Sequence, residues 1–356
     1  MASRYSPLKI FHFPDKLASL PREAPELLPP LHVRIKPTNA CPHKCRYCSY
    51  RAPDLQLGAG MKQSQSIPRG KMLEIIDDLA GMGVQAVTFS GGGEPFCYPH
   101  LEEAAAKLAQ SPVRFAALTN GARVEGSVAE LFAKKATWLR VSIDGWDAAS
   151  YARYRGVSED EFGRVIGNME RFKAFDGPCR LGISLIVDCE NAPHVFEIIA
   201  MARKIGADSV KVSPCVVSDC GGENSLYHEP YYELVGQQVA EAREAFEDDT
   251  FEIYNAYVPH QAEYGKAYTW CPYEQILSII GADLGVYTCQ DKAYNRDSGL
   301  LGSIEHVSFR EFWLDGKEKF FRVNPGRDCT HHCVADAKNR LVLDYLGLDP
   351  GHLGFV

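Results

Sequence analysis

The stretch Cys41-Pro-His-Lys-Cys45-Arg-Tyr-Cys48 sets three cysteines in a C-x3-C-x2-C spacing, following the apolar run at 31–35. A loop this short can turn three thiolates onto one inorganic centre. A four-iron cluster held by three thiolates keeps one iron open. An open position is where chemistry happens, by the logic that separates catalytic from closed zinc sites. Tyr47, between the second and third cysteines, could wall off the ligand on that iron. A zinc knuckle and three structural thiols are the other readings of the spacing.

A second cysteine set lies near the C-terminus. Cys271 and Cys289 stand in C-x17-C, a gap of 39 residues follows, and Cys329 and Cys333 form C-x3-C. Four thiolates brought together saturate a four-iron cluster and leave nothing open to a ligand. His331 and His332 lie inside the last pair, so a tetrahedral zinc with Cys and His ligands is the alternative. Cys97, Cys179, Cys189 and Cys220 read as small apolar fillers.

The elements that must position these residues alternate. Strands are expected at 31–35, 85–90, 113–119, 138–143, 180–187 and 209–212, each followed by a helix: 71–82, 101–109, 128–135, 162–175, 194–205 and 231–246. The strands are short, apolar and β-branched, as a buried parallel sheet requires. Six such units predict an α/β fold, a partial (β/α)6 TIM-like barrel over 31–250, after an N-terminal arm at 1–30. A small iron–sulfur domain of β-hairpin and helix is expected over 251–356, with hairpin strands at 275–280 and 285–290. In such a barrel the active site lies at the C-terminal strand ends.

Unusual residues do follow the strands. Strand two runs into Ser90-Gly-Gly-Gly-Glu94-Pro95, where glycines let backbone groups approach a ligand; a tight turn is the other reading. Strand three ends in Thr119-Asn120-Gly121. After strand four, Ser142 and Asp144 alternate and so point the same way. They could bind ribose hydroxyls, or Asp144 could be a helix cap or turn residue. Asn191 reads as a cap. Cys215 lies beyond strand six, where a thiol can face the barrel mouth and return a hydrogen atom to a substrate radical; an ordinary thiol is the other reading.

With these motifs after successive strands, residues 31–215 resemble the radical S-adenosylmethionine (radical SAM) superfamily. The resemblance implies a [4Fe-4S] cluster on Cys41, Cys45 and Cys48 whose open iron chelates S-adenosylmethionine (SAM). Reductive cleavage of SAM then gives a 5′-deoxyadenosyl radical that abstracts hydrogen from a substrate. Gly92, Gly93, Glu94 and Pro95 match the family's G-G-E-P segment, whose backbone meets the SAM amino group. Residues 141–145 resemble its V-S-x-D-G segment. Arg155, in an R-G pair with Gly156, could pair with the SAM carboxylate. Tyr47, Asn120, Ser142 and Asp144 complete the expected cofactor-binding set. The second cysteine set resembles the Twitch domain, the shortened SPASM domain, and Leu301-Gly-Ser-Ile304 with 309–313 resembles the SPASM linking segment. The full SPASM cysteine run is absent, so one auxiliary [4Fe-4S] cluster is expected.

Composition bounds the partners. The chain has 356 residues and a net charge of −8, which predicts no bulk attraction to nucleic acid or acidic membranes. Twelve cysteines could form disulfides in a secreted protein, but Asp15 and Lys16 interrupt any signal-like apolar core. No run approaches the ~20 apolar residues of a membrane span. A cytoplasmic protein with clustered metal-binding thiols is expected, served by an external one-electron donor of flavodoxin or ferredoxin type. Hydrogen abstraction followed by electron loss to the auxiliary cluster would be a two-electron oxidation. A small polar substrate, sugar- or aminocyclitol-like, is expected over a peptide, because no added N-terminal module is present to hold a leader. Residues around 254–268 could line its pocket. The alternatives are a maturase acting on a peptide or protein side chain, an epimerase using Cys215, and a non-enzymatic metal protein.

Overall fold

The computed structural model describes residues 5–259, 265–331 and 333–355. Seven parallel strands follow in chain order: β1 (His32–Ile35), β2 (Ala86–Phe89), β3 (Arg114–Thr119), β4 (Trp138–Ser142), β5 (Arg180–Val187), β6 (Ser209–Pro214) and β7 (Glu252–Asn255). Three more are β8 (Leu277–Ile280), β9 (Gly285–Tyr287) and β10 (Leu300–Ser303). The sheet order is β10-β9-β8-β1-β2-β3-β4-β5-β6-β7, an open barrel with β10 and β7 at its edges.

Period-two alternation gives the sheet two different faces. Val33 and Ile35 of β1, Leu139 and Val141 of β4, and Val210 and Val212 of β6 are fully buried in the layer between sheet and helices. Burying each such side chain stabilises the fold by roughly 1.5–3 kcal/mol. Their neighbours Arg34, Arg140, Ser142, Lys211 and Ser213 fall on the inner, concave face. The six expected helices form the outer layer, with ends shifted by one or two residues.

Three features depart from expectation. Helix Ala148–Arg155 carries no apolar stripe to announce it; a capping box of Asp147 and Ser150 starts it, and buried Tyr151 and Tyr154 anchor it. A seventh parallel strand, β7, follows the sixth unit. The expected hairpin forms as β8–β9, but β8 also pairs in parallel with β1, so the C-terminal segment continues the barrel sheet. That pairing covers what would be an open sheet edge at β1.

The N-terminal arm is short-structured, as its prolines require, but it is packed. Ile10, Leu17 and Leu20 share a core with Ile276 and Val342, and Lys317 donates to the Pro21 and Ala24 carbonyls at 2.7 and 3.0 Å. Of the expected filler thiols, Cys179 is buried, whereas Cys189 and Cys220 are exposed and fill nothing. No described helix is long and apolar enough to cross a membrane.

Candidate active site

The loop after β1 is held from two sides. On one, Gly93 N–H donates to the Thr38 carbonyl at 3.1 Å and Glu94 N–H to the Ala40 carbonyl at 2.8 Å. A Cβ on Gly93 would lie 2.3 Å from the Ala40 oxygen, so this close approach needs glycine. On the other, Lys44 N–H and Arg46 N–H donate to the Arg155 and Tyr154 carbonyls at 2.8 and 3.1 Å. Gly156, at φ +61, ends that helix in the left-handed region and turns the chain past Lys44.

Cys41, Cys45 and Cys48 thereby line one cavity of about 330 Å³ at the barrel mouth. Tyr47, Gly92, Gly93, Glu94, Asn120, Ser142, Arg155 and Cys215 line it too. Two donors point at the thiols: Asn120 Nδ2 lies 3.8 Å from Cys41 Sγ, and Arg155 Nη1 lies 3.5 Å from Cys45 Sγ. Arg155 Nε and Ser90 Oγ are buried without a protein partner, which suits a polar ligand between them. The donor set therefore fits a thiolate-bound cluster with SAM on it.

Two carboxylates beside the site are held by protein donors. Asp144 is fully buried and absent from the cavity wall. Its carboxylate accepts from Arg155 Nη2, from the Tyr47 hydroxyl and, at 2.7 Å, from Ile186 N–H. It holds Arg155 and Tyr47 in place from behind the cavity wall. Burial alone would lower the Arg155 pKa, but Asp144 and nearby groups raise it well above its ordinary value, so the guanidinium stays charged. Glu94 likewise turns inward. It accepts from Thr119 Oγ1 at 2.6 Å and Asn120 N–H at 2.7 Å, tying the glycine turn to β3. Pro95 opens a short turn that Glu94 caps and does not line the cavity. Asn191 is more than a cap: fully buried, its Nδ2 donates to the Asp144 and Ile186 carbonyls at 3.0 and 2.9 Å.

Cys215 follows β6 at the cavity wall and is buried. His228 Nε2 lies 2.9 Å from its carbonyl and 3.8 Å from its Sγ, while the Tyr257 hydroxyl meets His228 Nδ1 at 2.9 Å. The imidazole thus donates toward Cys215 and cannot act as its base. Burial pushes the thiol up to about 12, so it keeps its hydrogen at neutral pH.

Cys271, Cys289, Cys329 and Cys333 line a second, enclosed cavity with Lys266, Lys292 and His331. Asn339 Nδ2 lies 3.2 Å from Cys271 Sγ. Four thiols around one space fit a metal centre. Ligand atoms of Cys289, Asp291 and His331 also lie within 4.8 Å of one another, which keeps a mixed metal site open; His332 lies outside the described residues. Tyr268 lines this second cavity, whereas Tyr254 stacks on Tyr5 at 4.0 Å; neither lines the first. Residues 260–264 of that stretch lie outside the described residues.

Gln290 lines both cavities, one residue past Cys289. Sequence reasoning missed it, together with Arg34, Lys36 and Tyr50, which it contacts. The available signal was two cations alternating in an otherwise apolar strand.

Residues 35–202 match the family described as the Radical SAM superfamily. They form a radical SAM domain. The chain is similar to an AdoMet-dependent heme synthase of Methanosarcina barkeri, 27% identical over 178 residues covering 48% of this chain and 50% of that protein. It is similar to a PqqA peptide cyclase of Methylorubrum populi, 28% identical over 198 residues covering 54% and 48%. It is also similar to a GTP 3′,8-cyclase of Vibrio parahaemolyticus, 28% identical over 142 residues covering 39% and 41%. The chain spans about half the length of the curated relatives it matches. Among solved structures, Streptococcus suis SuiB bound to SAM superposes with a TM-score of 0.61 at 15% identity, covering 81% of this chain and 66% of that one. The structure of anSMEcpe with bound AdoMet gives 0.61 at 17% identity, covering 85% and 88%. These likenesses are of fold: a radical SAM partial barrel, here with an open sheet.

Proposed function

We propose that the chain is the core of a radical SAM maturase that oxidises a peptide or protein side chain. One observation carries the radical part: three thiols, the glycine turn, Asn120, Ser142 and Arg155 face one cavity. The peptide part is supported by relatives named for peptides, a PqqA peptide cyclase and a SuiB solved with its precursor peptide SuiA. The cavity mouth also suits a polypeptide, because Val216 on its wall and the adjacent Val217 are exposed. A sugar- or aminocyclitol-like substrate gives way to this reading.

When bound, the first cluster would supply the electron that cleaves SAM to methionine and a 5′-deoxyadenosyl radical, and a second, auxiliary [4Fe-4S] cluster on Cys271, Cys289, Cys329 and Cys333 would accept one electron from the substrate radical. The chain's own residues hold the reactants. Asn120 and Arg155 donate toward the thiolates, and Asp144 fixes Arg155. The backbone of Gly92 and Gly93 is open to the SAM amino group, with Ser142 across the cavity. The substrate loses a hydrogen atom, then one electron and one proton, and ends two hydrogens lighter. An external one-electron donor, flavodoxin- or ferredoxin-like, starts each turnover.

The test is anaerobic reconstitution, reduction with dithionite and addition of SAM, with 5′-deoxyadenosine read by chromatography. Co-expression with short reading frames encoded beside the gene should then yield a peptide two mass units lighter. A peptide of unchanged mass in ordinary water that is one mass unit heavier when made in deuterium oxide, lost in Cys215→Ala, would instead make Cys215 the hydrogen donor of an epimerase.

A further inference from the structure

The inner face of the barrel carries cations that pair with no carboxylate among the described residues. Alternation places Arg34 of β1, Arg140 of β4 and Lys211 of β6 on that face, and Lys36 follows just beyond β1. Arg34 lines the cavity that holds the three-cysteine loop. Its Nη1 donates to Gln290 Oε1 at 3.2 Å, and its Nε is buried without a partner. Lys36 is fully buried and donates to neutral oxygens only: Gly91 O at 3.0 Å, Gln290 Oε1 at 3.3 Å and the Tyr50 hydroxyl. Arg140 donates to the Tyr5 hydroxyl at 2.7 Å. Lys211 lies over the Tyr254 ring, 6.0 Å from its centroid. Among the described residues, no ion pair is formed by any of the four.

Holding a cation out of water without a counter-charge is costly. Lys211 shows the strain: burial, then Arg140 and Arg34, press its pKa down to about 8. Asp291 acts on Arg34 from a distance, but it sits beside Cys289 and His331 in the second thiol site, past the Gln290 amide. The guanidinium fork of Arg34 matches a carboxylate or phosphate in two-point contact.

We propose that Arg34 on the cavity wall holds a carboxylate of the substrate between the two thiol sites, with the charges of Arg140 and Lys211 deeper in the barrel adding to its field. On the peptide reading, on which this rests, that group is an acidic side chain or a terminal carboxylate next to the carbon that loses hydrogen. Gln290 Oε1, which accepts from both Arg34 and Lys36, orients the guanidinium.

Calorimetry on the reconstituted full chain, saturated with SAM, tests this with N-acetylglutamate methylamide, the isosteric N-acetylglutamine methylamide and inorganic phosphate. The acidic probe should bind about tenfold or more tighter than the neutral one, a preference that falls with salt. Arg34→Gln should abolish the preference and Lys211→Gln should weaken it several-fold. Far-UV circular dichroism checks both variants, and if Arg34→Gln does not fold, Lys211→Gln decides. Equal binding of the two amides, or an unchanged preference in the folded variants, overturns the proposal. Phosphate binding more tightly than the acidic amide overturns the carboxylate assignment. An acidic amide that binds only without SAM would give Arg34 to the cofactor's own carboxylate and overturn it too. SAM cleavage by the parent protein is measured separately. Its absence with the acid preference intact sinks the radical reading and leaves the anion site standing.

Discussion

The thiols of the first site come from eight consecutive residues, Cys41 to Cys48, and face an open cavity. Those of the second come from three segments between Cys271 and Cys333 and face an enclosed one. A single tight loop spends little chain entropy but offers only three ligands and one exposed side, which is what a reacting centre needs. Gathering four ligands from distant segments closes long loops at an entropic cost, and it leaves a less open cavity. That second arrangement suits electron storage, and its folding should depend on the metal more strongly. Among the described residues, Gln290 alone lines both cavity walls, so the two sites are close neighbours of unequal access.

The largest expected effect tests the open site. Cys45→Ala should abolish 5′-deoxyadenosine formation from SAM under reducing conditions. Product formed at the parent rate in that variant would break the contrast between an open, reactive site and a closed one.

The next effect is on metal content. Reconstituted protein should carry about eight irons per chain, and replacing Cys41, Cys45 and Cys48 together by Ala should leave about four. Stoichiometric zinc in the triple variant would assign the second site to a mixed Cys/His centre around Cys289, Asp291 and His331 instead.

Gly93→Ala sharpens the comparison by disturbing only the loop that carries the first site. The added methyl meets the Ala40 oxygen, so overpacking should cost about 1–3 kcal/mol in denaturant unfolding. SAM binding should weaken while iron in the second site is unchanged. Loss of both clusters together would show that the sites do not form independently.

The smallest effect is electrostatic and lies beside the first site. Burial pushes Asp188 up, but hydrogen bonds from Tyr154 and Arg46 outweigh it and hold the carboxyl below its ordinary value. A depressed pKa in the folded state adds stability that is complete above the unfolded-state value and is lost as pH falls through the folded one. Asp188→Asn should therefore cost about 1–2 kcal/mol at pH 7 and progressively less in acid. A constant difference from pH 7 down to pH 3 would show that packing, not charge, is what Asp188 contributes.

What sequence alone determined is what short range controls. The three-cysteine loop, the glycine turn and the strand–helix alternation are each written within a few residues, because a side chain's direction along one strand follows from its period. Ser142 and Asn120 were found that way and do face the cavity. Tertiary structure decided everything that depends on what a side chain meets from another strand. Asp144 looked like a ligand, but barrel register sets Arg155 and Ile186 against it, and a buried carboxylate takes the nearest donors. Glu94 was claimed in the same way by Thr119 and Asn120. The pairing of β8 with β1, which brings Cys289 and Gln290 beside the first site, joins residues nearly 250 apart by hydrogen bonds that no local pattern encodes. Arg34, Lys36, Arg140 and Lys211 are of the same kind: only the curvature of the sheet turns them toward one interior, where none forms an ion pair among the described residues.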